Sequence, residues 1–571
     1  MTWEAFRTTF NGITAAINGV LWHPAILYVL LGCGLYLTLR GRLIQFQALR
    51  QGIPLVFGRG PKEEGPGAIS HFQALSAALS ATVGLGNIGG VALAIGIGGP
   101  GSVFWMWVVG FLGMALKSTE VTLSMMHRDT SDPDNPHGGP MYVMERGFKQ
   151  KYPALAGLGR FFAFSFVVAL LVAAFTGGNA FQAWNTAVVT EQYLGLPGPL
   201  VGGLLGALVA VVILGGVSRI GKVAGKIVPF MCGCYLLAAL YVVAVSFDQL
   251  PDVLSLIFSS AFAPLSAQGA FIGGTAGWAF STGMQRAFFS NEAGQGSSAM
   301  AHAAVKTNHP AHEGIVAGLE PFIDTLVVCT LTAFVILLSG SWNRSPDLNI
   351  PEPIALQASA DGSWTLNDTL VEPSLDETLE PGRAVFLPLR FADDSQTGLL
   401  MNGVVAAPAA DGQPRISWQP VQADSQPIAA TSGCFLRFDG ASLTAFSFDR
   451  VQPGLGRWLV TLATWFFALS TMISWSYYGE QGVVFSFGEK WVLPYRLVYC
   501  GVTVISASGL LQTAQEINQL TMLGTGAMLW VNIPIIILFS GDALRCLRQG
   551  AKEMAKETAR QNAAPQPVRE T

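Results

Sequence analysis

A glycine-rich run interrupts an apolar stretch of this chain that is long enough to cross a bilayer. Its sequence is Thr82-Val83-Gly84-Leu85-Gly86-Asn87-Ile88-Gly89-Gly90. Each glycine destabilises a helix interior by about 1 kcal/mol relative to alanine, so the run predicts a break that frees backbone carbonyls and amides. At membrane depth a broken helix is tolerated only where it lines a cavity or contacts protein, and its ends can bind an ion or a zwitterion. The run therefore indicates a transporter.

A second polar, glycine-containing run, Phe289–Ser298, lies five predicted spans later. Because equivalent elements are offset by an odd number of spans, the two halves should have opposite orientations, which is an inverted repeat. Close helix packing is the alternative explanation for each run taken alone. Two runs at corresponding places, each with an uncharged amide residue (Asn87 and Asn291), favour a binding site at the bilayer midplane.

The two runs offer groups for both ends of an amino acid. The amide end of a half-helix stabilises a carboxylate, whereas its carbonyl end and nearby hydroxyls suit a hard cation such as sodium. The first candidate ligands are the uncharged residues Thr82, Gly86, Asn87, Ser290 and Asn291.

Polar residues at helical spacing mark the fourth predicted span. Asn179, Gln182 and Asn185 follow one another at three-residue intervals on an otherwise apolar helix. Because amides within the membrane normally face the bundle interior, we expect this stripe to face the site, with Gln182 as the main hydrogen-bond donor.

A second polar group lies in the ninth span, at Ser470, Thr471, Ser474 and Trp475. Ser470 or Thr471 can offer a hydroxyl to a cation, and Trp475 is large enough to close an apolar pocket. The alternative is that the hydroxyls bond the preceding helical turn and that the tryptophan only fills space.

Ionisable residues within spans usually mark function, although these also have structural explanations. Lys117 and Glu120 are three residues apart, which favours an ion pair on the helix surface over a proton relay. Arg286 precedes the second break and Glu292 lies inside it, where they can form a mutual pair or act as direct ligands. Asp324 can neutralise a cation or cap the neighbouring broken helix.

Composition independently indicates a membrane protein. Of 571 residues, 51% are hydrophobic and 12% are charged, and the mean hydropathy is +0.45. The net charge of -4 provides no basic surface for nucleic acid. Windows of roughly 20 apolar residues predict about eleven spans. These are 20–40, 71–97, 102–126, 160–185, 197–217, 227–247, 272–302, 314–339, 457–482, 489–511 and 519–542.

Lys and Arg in the short loops predict the orientation of the chain. They cluster after the first, third and fifth spans and in the carboxyl-terminal tail, whereas the opposite short loops contain none. We therefore expect the amino terminus outside, the carboxyl terminus in the cytoplasm, and the first span retained rather than cleaved as a signal peptide.

Hydropathy falls from about residue 341 to residue 452, where Asp, Glu, Pro and Ser accumulate and lysine is absent. Strand-like runs at 383–389, 398–401 and 434–438 predict a small β-rich outer domain. The predicted organisation follows from these boundaries. It comprises an extra helix and amphipathic segment (1–69), two five-helix repeats (70–247, and 248–340 with 453–542), the outer insertion (341–452) and a cytoplasmic tail (543–571).

In its predicted membrane part, the chain resembles the alanine or glycine:cation symporter family. The similarity is carried by Ala81–Ala92, Gly98–Trp107, Gly138–Tyr142, Phe289–Gly294, Phe322–Thr325 and Trp475–Glu480. It covers about 70–340 and 440–540, but not the outer insertion. Ala287 stands where a glycine is expected, and Gln295 stands where an apolar residue is usual.

The resemblance implies an all-α polytopic membrane protein with a leucine-transporter-like inverted repeat of five plus five helices and one extra amino-terminal helix. It further implies sodium-coupled uptake of a small neutral amino acid across the plasma membrane. By motif it assigns the substrate pocket to Thr82, Gly86, Asn87, Gln182, Phe289, Ser290, Thr471 and Trp475, to which the residues themselves add Asn291. The sodium site resembles one formed by Gly84, Ser470 and Thr471.

No phosphate-binding loop and no paired-histidine metal motif is found in the sequence, so we expect neither an enzyme nor ATP-driven transport, and no cofactor besides sodium as coupling ion. One alternative is a proton-coupled symporter or exchanger that uses Glu292 and Asp324. The other is a sensor that binds an amino acid without accumulating it. The preferred amino acid and the oligomeric state do not follow from the sequence.

Overall fold

Helices account for most of the chain. The computed structural model describes residues 3–59, 65–263, 271, 276–350, 353–359, 362–373, 379–391, 399–407, 413–423, 425–438, 440–509 and 514–563. The α-helices of these residues are α1 Trp3–Leu21, α2 Pro24–Arg40, α3 Ile44–Gln47, α4 Ile53–Val56, α5 His71–Thr82, α6 Val91–Gly98, α7 Gly101–His127, α8 Pro140–Lys151, α9 Ala156–Phe175, α10 Phe181–Leu194, α11 Gly198–Ile213, α12 Gly216–Val245, α13 Leu250–Ser260, α14 Ala276–Asn291, α15 Ala299–Ala303, α16 Pro310–Ala317, α17 Thr330–Leu338, α18 Ala441–Val451, α19 Leu455–Phe487, α20 Val492–Ala507 and α21 Ala514–Ala563. Turns of π-helix occupy Ala48–Gly52, Gly86–Gly90, Thr176–Ala180 and Phe322–Cys329.

Within the described residues, six helical segments are long and apolar enough to cross a membrane, or up to eight if each of two bent pairs is one span. The bent pairs are Thr9–Leu21 with Pro24–Arg40, at 41°, and His71–Thr82 with Gly86–Gly98, at 50°. Helical segments lie at all eleven predicted places, but several are too short to count alone. A polytopic helical membrane protein is therefore supported, whereas the count of eleven and the inverted repeat stay predictions.

Helix α1 was not predicted, because its polar residues lower the hydropathy of that part of the chain. Those polar groups bond to α21 instead of facing lipid. Thr14 Oγ1 donates to Gln519 Oε1 at 3.1 Å, Asn18 Nδ2 donates to the Gln519 carbonyl at 2.7 Å, and Trp22 Nε1 donates to the Met522 carbonyl at 2.9 Å.

The first break is shorter than the glycine run predicts. A capping box of Ser70 and Gln73 starts α5, which ends where Val83 adopts an extended conformation (φ -77°, ψ 91°). The residues Gly86–Gly90 then form a π-helical turn that leads directly into α6. The interruption is confirmed, but it is confined to about three residues, because helical hydrogen bonding resumes in the π-helical turn at Gly86.

The second break begins later than predicted. Phe289, Ser290 and Asn291 form the last turn of α14, and the chain leaves the helix at Glu292, which has a left-handed φ of 53°. Gly294 and Gly296 follow with φ of 84° and 87°, a backbone conformation that residues with a Cβ rarely adopt. The chain returns to helix at α15. Both predicted interruptions therefore exist, with shifted limits.

The predicted strand-like runs all contain strands in antiparallel sheets. The strands are β1 Leu348–Asn349, β2 Gln357–Ala358, β3 Ser363–Thr365, β4 Thr369–Leu370, β5 Glu372–Pro373, β6 Ala384–Phe391, β7 Leu399–Val405, β8 Arg415–Trp418, β9 Val421–Gln422, β10 Pro427–Ala429 and β11 Gly433–Leu436. The larger sheet has the order β4-β8-β7-β6-β11-β1-β5, with β10 paired to β6, and the smaller has the order β2-β3-β9. Burial in the core of this domain raises the pKa of the Cys434 thiol to about 12.

The end of the predicted insertion is helical and packs on the membrane helices. Helix α18 contacts α17, α19 and the π-helical turn Gly86–Gly90. Thr444 Oγ1 donates to the Ile88 carbonyl at 3.1 Å, and a Cβ on Gly89 would lie 2.9 Å from the Ala441 nitrogen. The β-rich part is therefore confined to strands β1–β11, and α18 belongs to the helical body.

Glycine allows the closest approach between α9 and α21. A Cβ on Gly524 would lie 2.5 Å from the Ala173 nitrogen, whereas a Cβ on Gly541, in the same helix, meets nothing within 4 Å. We expect Gly524→Ala to destabilise the protein by about 1 to 3 kcal/mol, because backbone atoms of α9 must move. Thermal unfolding in detergent measures this. Gly541→Ala is the matched control and should unfold at or slightly above the wild-type temperature; equal effects of the two substitutions would refute the close contact.

Candidate functional site

The two breaks meet in the middle of the helical body. A Cβ on Gly86 would lie 3.4 Å from the Phe289 ring and 3.8 Å from the Ser290 Cα. The turn after the first break therefore packs directly against the last turn of α14. Residues about two hundred positions apart thus form one site, as the two runs predict.

A small cavity of about 20 Å³ lies at this junction. It is lined by Ala81, Thr82, Gly84, Gly86, Gly177, Gln182, Phe289, Ser290, Glu292, Thr471, Trp475 and Thr525. Most of the predicted pocket residues are brought together here. Ala81, Gly177 and Thr525 were missed, since none of them stands out from the apolar helix around it.

Three predicted site residues lie outside this lining: Asn87, Asn291 and Ser470. Asn87 Oδ1 accepts from the Gly84 nitrogen at 2.8 Å, so this side chain caps the break itself. Asn291 Nδ2 donates to Thr325 Oγ1 at 3.1 Å, and Asn291 Oδ1 accepts from the Ala293 nitrogen at 3.0 Å. Both amides hold the breaks in place from behind the cavity.

Asp324 connects the two breaks. Its carboxylate accepts from Asn87 Nδ2 at 2.6 Å, from Ser290 Oγ at 2.9 Å and from Thr325 Oγ1 at 2.8 Å. The group is fully buried. These contacts are all to side chains, so Asp324 holds the two breaks together without capping a backbone amide itself.

Gln182 reaches the cavity as an acceptor. Its Nε2 donates to the Gly177 carbonyl at 3.0 Å, and because that carbonyl can only accept, the amide orientation follows. Gln182 Oε1 is buried without a hydrogen-bond partner in the structure. The expected role as donor is thus reversed, and this oxygen suits an ammonium group.

The other amides of that stripe point elsewhere. Asn179 Nδ2 donates to the Tyr499 carbonyl at 2.7 Å, and Asn185 Nδ2 donates to the Phe181 carbonyl of its own helix at 2.7 Å. Three-residue steps turn a helix by about 300°, and the π-helical turn Thr176–Ala180 rotates the stripe further. Only the middle member of the three therefore faces the cavity.

Trp475 closes one side of the cavity and binds the second break. Its Nε1 donates to Glu292 Oε1 at 3.1 Å, and the other Glu292 oxygen accepts from Ser297 Oγ. Arg286 donates instead to Asn518 Oδ1 at 3.0 Å. The Arg286–Glu292 pair is thus not formed, since each residue is satisfied by a different helix.

The predicted cation ligands lie next to one another. A Cβ on Gly84 would lie 2.7 Å from Thr471 Oγ1. The hydroxyls of Thr471 and Ser470 donate to the Ser80 carbonyl at 3.1 and 3.3 Å. Hydroxyl and carbonyl oxygens are the donors that a hard cation prefers, so the residues fit sodium chemically. Of the two hydroxyls, only that of Thr471 borders the cavity.

The predicted ion pair of Lys117 and Glu120 is present, but it is buried and is part of a larger group of charges. Both are buried, and Lys117 Nζ lies 3.9 Å from Glu120 Oε1, 3.5 Å from Glu320 Oε2 and 2.6 Å from Ser298 Oγ. Lys117 and Glu120, together with four more residues, form a set that we call the ionisable cluster. Its members are His71, Lys117, Glu120, His302, Glu313 and Glu320. The sequence signal that was missed is the density of His and Glu between 302 and 320.

Comparisons of the sequence with known proteins give its relatives. The sequence profile of the sodium:alanine symporter family matches residues 7–364 and 428–564. The chain is 34% identical to the sodium/alanine symporter AgcS of Methanococcus maripaludis over 532 residues, which covers 93% of this chain and 95% of that protein. It is 34% identical to the "Probable sodium/glutamine symporter GlnT" of Bacillus subtilis over 62% of this chain and 70% of that protein. It is 36% identical to the amino-acid carrier protein AlsT of Bacillus subtilis over 58% and 67%.

The contacts of Asn87 predict a structural effect. Asn87→Ala leaves the Gly84 nitrogen and one Asp324 oxygen without their partner in a buried place, so we expect a destabilisation of about 1 to 3 kcal/mol. Asn185→Ala removes only a bond within its own helix and should change stability by less than about 0.5 kcal/mol. Thermal unfolding of the two purified variants compares them, and a smaller loss for Asn87→Ala would show that the cap contributes nothing.

Proposed function

The chain belongs to the sodium:alanine symporter family, and from this premise we propose that it carries a small neutral amino acid into the cell together with sodium. Transport proceeds by alternating access around the cavity between the two breaks. The chain is a multi-pass protein of the plasma membrane, with its amino terminus outside and its carboxyl terminus in the cytoplasm. The observation that carries the proposal is the unpaired Gln182 Oε1, buried at the point where both broken helices meet.

The cavity offers different groups to the two ends of an amino acid. Gln182 Oε1 and the Glu292 carboxyl accept hydrogen bonds and suit the ammonium group. The first turn after Gly84 begins a half-helix whose amide end favours the carboxylate. The zwitterion then lies between α10, the first break and the second break.

The size of the cavity supports a small substrate. A space of about 20 Å³ holds little more than one water, so even alanine must displace lining side chains. Phe289 and Trp475 are the large side chains of the lining and are the candidates for this movement. A glutamine substrate, which the name of the relative GlnT indicates for that protein, requires a larger displacement.

Sodium is assigned to the oxygen groups around Thr471. Gly84 leaves room for Thr471 Oγ1, and the Ser80 carbonyl and Ser470 hydroxyl lie beside it. A cation there borders the substrate cavity at Thr471, so its charge acts on the substrate carboxylate. Bound sodium thereby raises the affinity for substrate, which is the coupling that symport requires.

One alternative retains support from the structure. The Glu292 carboxyl lines the cavity, so a proton-coupled symporter on the same fold can use it. Uptake that follows a pH gradient in sodium-free buffer would support this proton-coupled alternative. The other alternative, a sensor, would bind alanine without accumulating it.

Uptake of radiolabelled alanine into proteoliposomes tests the proposal. An inward sodium gradient should drive accumulation, and equal accumulation without the gradient would reject sodium as coupling ion. Gln182→Ala should raise KM about 10- to 100-fold, because the lost hydrogen bond to a charged group contributes about 1.5 to 3 kcal/mol. Asn185→Ala is the matched control and should keep the wild-type KM; an unchanged KM in Gln182→Ala would remove that residue from the site.

Close packing at Gly84 gives a second test. Gly84→Ala places a methyl group 2.7 Å from Thr471 Oγ1. We expect sodium-driven uptake to fall at least about tenfold, with a higher sodium requirement, because the methyl group displaces the oxygen that would bind the cation. A Cβ on Gly96, in α6, meets nothing within 4 Å, so Gly96→Ala should transport normally. An unchanged sodium dependence in Gly84→Ala would contradict the proposed cation site.

A further inference from the structure

The ionisable cluster lies beside the transport path and contains more hydrogen-bond contacts than its ordinary protons can serve. His302 is fully buried between two carboxylates. Its Nε2 lies 2.6 Å from Glu320 Oε1, and its Nδ1 contacts Glu313 Oε1. The other oxygen of Glu313 contacts His71 Nδ1.

Counting protons identifies an additional one. A neutral imidazole has a single N–H, whereas an ionised carboxylate can only accept. Both ring nitrogens of His302 lie within hydrogen-bond distance of a carboxylate oxygen. Two such bonds need two protons, so Glu313, His302 and Glu320 together hold one proton more than a neutral histidine and two carboxylates.

Burial makes that proton important for the packing. Two carboxylates held on one imidazole in a low-dielectric interior repel each other unless a positive charge lies between them. The charged and titratable groups in and next to the cluster come from several helices. They are Glu313, Glu320, His71, Lys117, Glu120, Arg128, Glu292 and Tyr478.

The cluster has a route to water through His71. This residue lines a cavity of about 290 Å³ together with Ser70, Gln73 and Lys306. Because Lys306 lies in a loop that the positive-inside pattern predicts to be cytoplasmic, we expect the cavity to open to the cytoplasm. A proton can pass from His302 to Glu313 and from Glu313 to His71 along existing contacts.

The same contacts connect the moving parts of the proposed mechanism. His71 is the first residue of α5, the half-helix that ends at the first break. His302 lies on α15, which follows the second break, and Glu313 lies on α16. We propose that Glu313, His302 and Glu320 form a binding site for one exchangeable proton, and that this proton holds the start of α5 against α16.

The sign of the effect follows from the charges. When the proton leaves, one carboxylate oxygen loses its donor and the cluster gains a negative charge. The packed cluster holds one proton more than the same groups exposed to water at alkaline pH, so raising the pH favours the separated state and should release the start of α5 from α16. The inference rests on the proposed function only where transport is the readout.

Hydrogen–deuterium exchange of the full-length protein in nanodiscs tests the site directly. After correction for the chemical exchange rate, protection of residues 70–78 should fall between pH 6 and pH 9, by up to about tenfold per pH unit beyond the midpoint. His302→Gln cannot take up the extra proton and should show protection that does not change with pH. The amide of Glu313→Gln supplies its own N–H donor to His302, so protection in this variant should also be independent of pH. Two variants keep the test valid if one of them fails to fold.

His127→Gln is the matched control, since His127 lies at the end of α7 outside the cluster and should keep the wild-type pH dependence. Equal protection of wild-type protein at pH 6 and pH 9 would overturn the proposal, as would an unchanged pH dependence in both cluster variants. Sodium-driven uptake measured with the same pH on both sides of the membrane separates the two claims. Absent uptake in wild-type protein contradicts the proposed function, whereas exchange decides the proton site.

Discussion

The structure depends on satisfying backbone that leaves the helical ladder in an apolar interior. Asp324 connects the groups that do so, because its two oxygens accept from the Asn87 side chain of the first break and from the Ser290 hydroxyl of the second. Asn87 in turn caps the freed Gly84 nitrogen. Without this cap, a buried amide that has no hydrogen-bond partner would cost about 1 to 3 kcal/mol. The same carboxylate thus fixes the distance between the two breaks and, with it, the cavity.

Around this junction, most ionisable side chains lie apart from the cavity. The cavity is lined mostly by small and uncharged groups, whereas the ionisable cluster lies on the other side of the second break. The two meet at adjacent residues: Ser297 bonds Glu292 at the cavity, and Ser298 bonds Lys117 of the cluster. A displacement of this short segment would therefore change both environments together.

The β-rich domain is connected to the helical body next to the first break. Helix α18 follows the strands, and Thr444 on it satisfies the Ile88 carbonyl in the turn after the first break. The two family matches leave residues 365–427 uncovered, whereas α18 falls within the second match. The helix thus lies in the part that the family profile describes, whereas strands β4–β9 lie in the stretch that the profile does not cover.

Local patterns in the sequence were sufficient to predict the apolar spans, the two interruptions and most residues of the cavity, because glycine and polar residues in an apolar window act on their own helix. The sequence could not show which polar groups face the cavity. Gln182 reaches it, whereas Asn87 and Asn179 bond to other helices, since helix rotation and the π-helical turns decide direction. Likewise, His71, His302 and Lys117 are far apart along the chain, and only packing brought them together in the low-dielectric interior that makes their protons matter.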